Sequence, residues 1–232
     1  MIDGSTNTLV ANVTVGSNPY GIAVNPSTDL VYVANELSHT VSVIDGHTNA
    51  VMATVTVGCN PTCTNTTTGI PVGVAVDPST NMVYVTEFGT NSLAIIDGST
   101  NTVLTNLRVG SYPYDVAVNP ATNMVYVTNQ NSNSLSVIDA SINKVVANVT
   151  VGIQPIDLSI NPSLGIIYVT NWGSNSVSVV DCATNVVISN VTVGDSPMGI
   201  AVNPDGGAVY VANTRSGSVS VISTRPATTS TT

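Results

Sequence analysis

The sequence predicts an all-β protein, a five-bladed β-propeller of four-stranded antiparallel blades. Three observations carry that prediction. Val-Gly pairs recur at Gly16, Gly58, Gly110, Gly152 and Gly194, spaced by 42, 52, 42 and 42 residues, and a period of roughly 40–45 residues belongs to propeller blades. Each period holds four short β-type runs, exemplified by residues 20–25, 30–35, 40–45 and 50–57, separated by Asn, Pro, Gly, Ser and Thr clusters. No segment shows a sustained helical period. The one irregular spacing becomes 42 when ten residues are removed from the stretch 59–71, so a single loop insertion explains it.

Composition bounds the function classes. The chain has 232 residues, 43% hydrophobic and 7% charged, with 4 Lys+Arg against 13 Asp+Glu and a net charge of −9. That balance argues against a nucleic-acid partner. Polar residues interrupt every apolar stretch before the roughly 18 residues a membrane span needs. A single domain of this size can bury about 70–75% of its unfolded surface without metals or disulfides.

Taken in order, the first run of each repeat ends in the turn pairs Asn25-Pro26, Asp77-Pro78, Asn119-Pro120, Asn161-Pro162 and Asn203-Pro204, where the side chain bonds nearby backbone and Pro presets φ. The second run carries Tyr32, Tyr84, Tyr126, Tyr168 and Tyr210, and a ring that recurs in every repeat answers to blade geometry, so it is core. The third run ends in Asp45, Asp97, Asp139 and Asp181, with Asp3 in register; a carboxylate there accepts turn N–H groups, calcium ligation being the alternative. The fourth run of the first four repeats is followed by the next repeat, while residues 8–15 stand alone at the N-terminus and the last repeat lacks a fourth run. This predicts that the N-terminal strand completes the last blade and closes the ring, removing an open edge. The propeller then spans residues 1–223, and residues 224–232, rich in Thr and Ser, form a tail or linker.

The second-run cores Val31-Tyr32-Val33-Ala34-Asn35, Val83-Tyr84-Val85-Thr86-Glu87, Val125-Tyr126-Val127-Thr128-Asn129, Ile167-Tyr168-Val169-Thr170-Asn171 and Val209-Tyr210-Val211-Ala212-Asn213 resemble the YVTN β-propeller repeat of archaeal surface-layer and cell-surface proteins. The resemblance covers nearly all of residues 1–222. It implies an extracellular or cell-surface binding or assembly module, with a protein or glycan partner or self-association, and no single activity.

Function is expected where the repeats differ. Loops at one end of the channel offer Tyr20, Glu36, Glu87, Phe88, Tyr112, Tyr114, Gln130, Trp172 and Arg215 as a ligand-binding face. Trp172, the only Trp, suits stacking on a sugar or anchoring a protein, or simply covers a loop. Asp115 and Asp157 replace glycines at one repeat position, Gly21, Gly73 and Gly199, so two carboxylates approach the channel mouth and could bind a hard cation such as calcium; otherwise no cofactor is expected. The two histidines, His39 and His47, lie at opposite ends of one strand, roughly 25 Å apart, and no nucleophile elbow, zinc-protease helix or phosphate loop is present. These observations favour a non-catalytic module, with a metal-dependent lyase or lactonase-like enzyme at the channel mouth and a self-assembling coat subunit as alternatives. Cys59 and Cys63 lie within the insertion and suit a short disulfide in an oxidising compartment better than a metal site. Cys182, at a turn position, is a free thiol or an intermolecular crosslink. Asn12, Asn65, Asn148 and Asn190 each open a glycosylation sequon.

Overall fold

The computed structural model describes residues 1–58, 69–203 and 207–224, and every regular element in them is a β-strand. An N-terminal hairpin pairs β1 (Ile2–Asp3) with β2 (Thr8–Leu9). Four sheets of four antiparallel strands follow in chain order: β3 (Pro19–Asn25), β4 (Leu30–Asn35), β5 (Thr40–Asp45) and β6 (Ala50–Thr56); β7 (Pro71–Asp77), β8 (Met82–Glu87), β9 (Ser92–Asp97) and β10 (Thr102–Arg108); β11 (Pro113–Asn119), β12 (Met124–Asn129), β13 (Ser134–Asp139) and β14 (Lys144–Thr150); β15 (Pro155–Asn161), β16 (Ile166–Asn171), β17 (Ser176–Asp181) and β18 (Val186–Thr192). A last sheet has three strands, β19 (Pro197–Asn203), β20 (Ala208–Asn213) and β21 (Ser218–Ser223). Successive inner strands β3, β7, β11, β15 and β19 lie side by side, which is a propeller-like arrangement. Among the described residues no helix is long and apolar enough to cross a membrane.

Ring closure by the N-terminal strand does not occur. Residues Thr8–Leu9 pair with Ile2–Asp3, not with β21. The reason lies in the sequence of that hairpin: Ile2-Asp3 is itself the end of a third-run pattern, so residues 1–15 bring their own pairing partner. Val13 and Val15 then pack on Val31, Val33 and Ile44 of the first blade. Val55 and Val57 cover Val83, Val85 and Ile96 of the second blade in the same way, so the N-terminal segment sits where the outer strand of a preceding blade would.

Apart from the patch that Val13 and Val15 cover on the first sheet, the end faces of the blade series are open. Tyr32, Tyr84 and Tyr126 are at most 1% exposed, but Tyr210 is 43% exposed, because no blade packs against the far side of the last sheet. Val219 and Val221 are exposed beside it, and on the opposite end so are Ile22 and Val24; the counterparts of Ile22, which are Val74, Val116 and Leu158, are buried between blades.

Each recurrent polar position has a structural task. Asp97 accepts the Ser99 N–H and hydroxyl at 2.8 and 2.5 Å, and Asp45 accepts the N–H groups of His47 and Thr48 at 2.9 and 2.8 Å. These bonds hold the turn carboxylates below the usual range and account for them as turn residues. The fourth residue of each turn is left-handed, Asn49 at φ 57° and Asn101 at φ 55°, a conformation asparagine tolerates well. The asparagine that ends four of the five second strands is buried, and its amide donates to a serine on the third strand, as Asn129 does to Ser136 at 2.9 Å and Asn171 to Ser178 at 3.0 Å.

Every inner strand loses its register just after the leading proline: Pro113 faces Asn129, yet pairing resumes only at Val116 with Val127. Such irregularities re-aim side chains and leave ladder groups unpaired. A threonine repairs the break. The Asp115 N–H donates to Thr128 Oγ1 at 2.9 Å, and that hydroxyl donates to the Ile156 carbonyl of the next blade at 2.7 Å. Thr170 repeats this between the Asp157 N–H and the Met198 carbonyl at 3.0 and 2.9 Å, and Thr86 between the Gly73 N–H and the Tyr114 carbonyl at 2.7 and 2.8 Å.

Glu87 stands where the other blades place that buried asparagine. It is fully enclosed, accepts bonds from Ser92 and Thr90 on Oε2, and leaves Oε1 unpartnered. Burial pushes its carboxyl up from the ordinary value of 4.5.

Three stability measurements test this scaffold. Tyr126→Ala should cost about 3 kcal/mol or more and Tyr210→Ala well under half of that in denaturant titrations; equal losses would show that the end faces close on each other in solution. Replacing Thr128 by Val should cost about 1–3 kcal/mol, because it orphans a buried N–H and a buried carbonyl. The raised Glu87 carboxyl binds a proton in the fold that the unfolded chain releases, so its contribution is present below pH 4.5 and is lost as pH rises through the raised value. Glu87→Gln should therefore raise Tm at pH 8 by about 2–4 °C and leave it nearly unchanged at pH 4.

Candidate functional site

The inner strands converge on a cavity of about 330 Å³. Its wall is built from two adjacent positions in the irregular stretch after each leading proline: Tyr20, Val72, Tyr114, Ile156 and Met198 at the first, and Gly21, Gly73, Asp115, Asp157 and Gly199 at the second. A Cβ on Gly73 would stand 2.8 Å from the Tyr114 carbonyl and 3.0 Å from an Asp115 carboxylate oxygen, so the close approach of neighbouring blades demands glycine there. On Gly199 a Cβ would meet only Ala212 of its own sheet, at 3.9 Å, since no further blade follows.

Asp115 and Asp157, on adjacent blades, are brought together. Asp157 accepts the backbone N–H groups of Leu158 at 2.8 Å and Ile200 at 2.9 Å, and Asp115 accepts that of Leu158 at 3.3 Å. Loss of water around Asp115, then the Asp157 charge and the hydrogen bond between the two carboxyls, raises Asp115 well above the usual carboxylate range. Two neighbouring carboxyls disfavour each other's ionisation, which adds to the cost of removing the Asp115 proton.

Aromatic rings form the rim beside this pair. The Tyr20 and Tyr114 hydroxyls are hydrogen-bonded to each other across the second blade, where the smaller Val72 leaves room, and their rings meet edge-on at 5.8 Å. Phe88 stacks on Tyr112 at 4.4 Å and meets Tyr114 at 6.4 Å. Burial and the Tyr20 hydroxyl raise the Tyr114 phenol, which keeps it protonated as a donor.

The remaining expected face residues separate into groups. Arg215 lies over the Trp172 ring at 5.6 Å, as a pair outside the cavity lining. Glu36 accepts the Asn18 amide, and the Gln130 N–H donates to the Tyr112 carbonyl at 2.9 Å. Glu87 is interior and does not reach the face. His39 has Nδ1 2.8 Å from the Gly69 carbonyl, a loop-holding bond, and His47 is an exposed turn residue. Cys182 is a free thiol, part-buried against Tyr126 rather than exposed at its turn. Asn12, Asn148 and Asn190 are exposed. Cys59, Cys63, Asn65 and nearly all of the tail lie outside the described residues. Val72, Ile156 and Met198 in the wall, and the threonines that hold it, carried no signal in the sequence beyond the replacement of Thr by Ala at positions 34 and 212.

Solved structures share the architecture. A hydrazine synthase of Kuenenia stuttgartiensis superposes with a TM-score of 0.75 at 20% identity, covering 91% of this chain and 68% of that one. A proposed 6-phosphogluconolactonase of Bacteroides uniformis gives 0.79 at 15% identity, covering 96% and 72%. A functionally unknown protein of Desulfotomaculum acetoxidans gives 0.71 at 17%, covering 90% and 70%. At these identities the likeness is one of fold. No curated protein sequence matches the chain.

A family profile described as a lactonase with a seven-bladed β-propeller matches residues 3–151, more than half of the chain. This match overturns the assignment to YVTN surface-layer repeats and the non-catalytic surface or glycan-binding module that it implied. The physical reason is that the motif spells scaffold chemistry: tyrosine packs between blades, threonine bridges them, and asparagine ties the hairpin. Any propeller solving the same packing problem can converge on those letters, whereas the profile matches residues 3–151 as one continuous stretch, and by it the chain belongs to the seven-bladed lactonase β-propeller family.

Proposed function

We propose that this chain hydrolyses a lactone at the channel cavity, with Asp115 and Asp157 as a proton-sharing acid and base. The observation that carries this reading is the carboxyl pair, seated in the wall of a cavity in a chain of a lactonase family. Asp157, its oxygens oriented by the Leu158 and Ile200 N–H groups, accepts a proton from water as the water oxygen adds to the lactone carbonyl carbon. The Tyr20 and Tyr114 hydroxyls are bonded to each other, so one O–H of that pair is the donor available to the carbonyl oxygen. Asp115 then gives its proton to the ring oxygen as the acyl C–O bond breaks, which releases a hydroxy acid. The pair ends with one proton, now on the other member, and exchange with solvent restores the start.

A hard cation is the rival use of these carboxylates. Calcium takes six to eight oxygen ligands, and no cluster of three or more acidic, His or Cys residues stands together among the described residues, so the reading runs through a shared proton.

We also infer that the five repeats form an arc of a seven-bladed arrangement. The uncovered Ile22 and Val24 at one end, and Tyr210, Val219 and Val221 at the other, support this.

Lactone opening followed by pH-stat titration tests the proposal. Asp115→Asn and Asp157→Asn should each lower kcat/KM by about 10²–10⁴-fold with unchanged melting curves. Activity should fall on the alkaline side as the pair loses its shared proton, because the raised carboxyl must be protonated to act as acid. Chelation by EDTA should leave the rate unchanged; a chelator-sensitive rate would replace the acid–base account with a metal-dependent one.

A further inference from the structure

The chemistry of the cavity wall selects the kind of lactone, and this inference rests on the hydrolytic reading of the same site. The wall offers apolar surface from Ile22, Val72, Val74, Ile156 and Met198, with the carboxyl pair as its only ionisable acids. No cation lines it. The sequence holds only four Lys and Arg residues: Arg108 and Lys144 project from the outer strands β10 and β14, Arg215 is stationed over Trp172, and Arg225 lies outside the described residues. The negative charge of Glu36 acts on Tyr114 at the rim, and the carboxyl pair lies in the wall behind it. A phosphate or carboxylate brought to this mouth meets like charge with no donor fork to hold it.

The rim instead presents ring faces. Tyr20 and Tyr114 line the cavity, and Phe88 and Tyr112, stacked at 4.4 Å, stand next to Tyr114 just outside that lining. From the cation-free lining and this aromatic rim, we infer that the cavity takes an uncharged lactone bearing an apolar or aromatic substituent, with the lactone ring at Asp115 and Asp157 and the substituent against Phe88 and Tyr114. The phosphorylated sugar lactone named for the Bacteroides uniformis neighbour is therefore not the ligand of this chain.

Binding of uncleavable analogues separates this inference from the hydrolytic one. Calorimetric or NMR titration of the full chain would compare 3,4-dihydro-2-quinolinone, the lactam counterpart of an aromatic δ-lactone, with 6-phosphogluconate. Hydrolysis of dihydrocoumarin would be followed in parallel. The lactam is expected to bind at least about tenfold more tightly than the phosphate, and Phe88→Ala to weaken it about three- to tenfold. Phe88→Leu keeps the packing volume and should still weaken binding, which guards against a folding defect in the first variant. Equal or tighter binding of 6-phosphogluconate, or no binding of the lactam, would overturn the inference. Lactam binding without dihydrocoumarin turnover would uphold the ligand class and remove the hydrolytic reading.

Discussion

A threonine hydroxyl that answers two backbone groups at once is the interaction on which the rest of this structure depends. Propeller blades are separate sheets, and no strand ladder crosses from one to the next. Inner strands must nonetheless lie close enough to enclose a cavity, and each breaks its own ladder to turn side chains toward the axis. Thr86, Thr128 and Thr170 satisfy the N–H left unpaired by that break and bind the carbonyl of the following blade. Buried polar groups left without partners cost more than a made hydrogen bond returns, so the same hydroxyl both permits the irregular strand and fixes the spacing of its neighbour.

The carboxyl pair is a consequence of that spacing. Asp115 and Asp157 are each the residue whose N–H the threonine accepts, so the element that joins the blades also sets the backbone from which the acids project. Glycine at the same position in the other blades keeps the channel open. Burial and mutual repulsion then raise the Asp115 carboxyl well above the usual carboxylate range.

Much of this architecture was legible in the residues. The 42-residue period, the recurrent tyrosines and the Asp and Asn turns all report local or nearest-neighbour geometry, which a repeat sequence displays many times over. The Asp115–Asp157 pair was legible too, because two residues departing from a glycine position on consecutive blades must be neighbours. Where a residue's environment depends on what lies beyond its own blade, the signal failed. Tyr210 matches Tyr126 in sequence context and differs in burial because no sheet covers it. Glu87 read as a loop acid, yet it occupies a buried asparagine site, since one strand position separates the interior from the loop.

The sequence by itself determined the blade: strand order, turn chemistry, the residues that face inward and the pair of acids at one channel position, all set by periodicities of two and forty-two that act over short distances. Only the tertiary structure decided how the blades end and what surrounds the acids. Whether residues 8–15 complete the last sheet or seat themselves on the first depends on competition between two apolar faces, and the strand Ile2–Asp3 tips it by supplying a partner from within the hairpin. The surroundings of Asp115 likewise come from Gly73 and Asp157 approaching on neighbouring blades, a property of assembled surfaces that no single repeat contains.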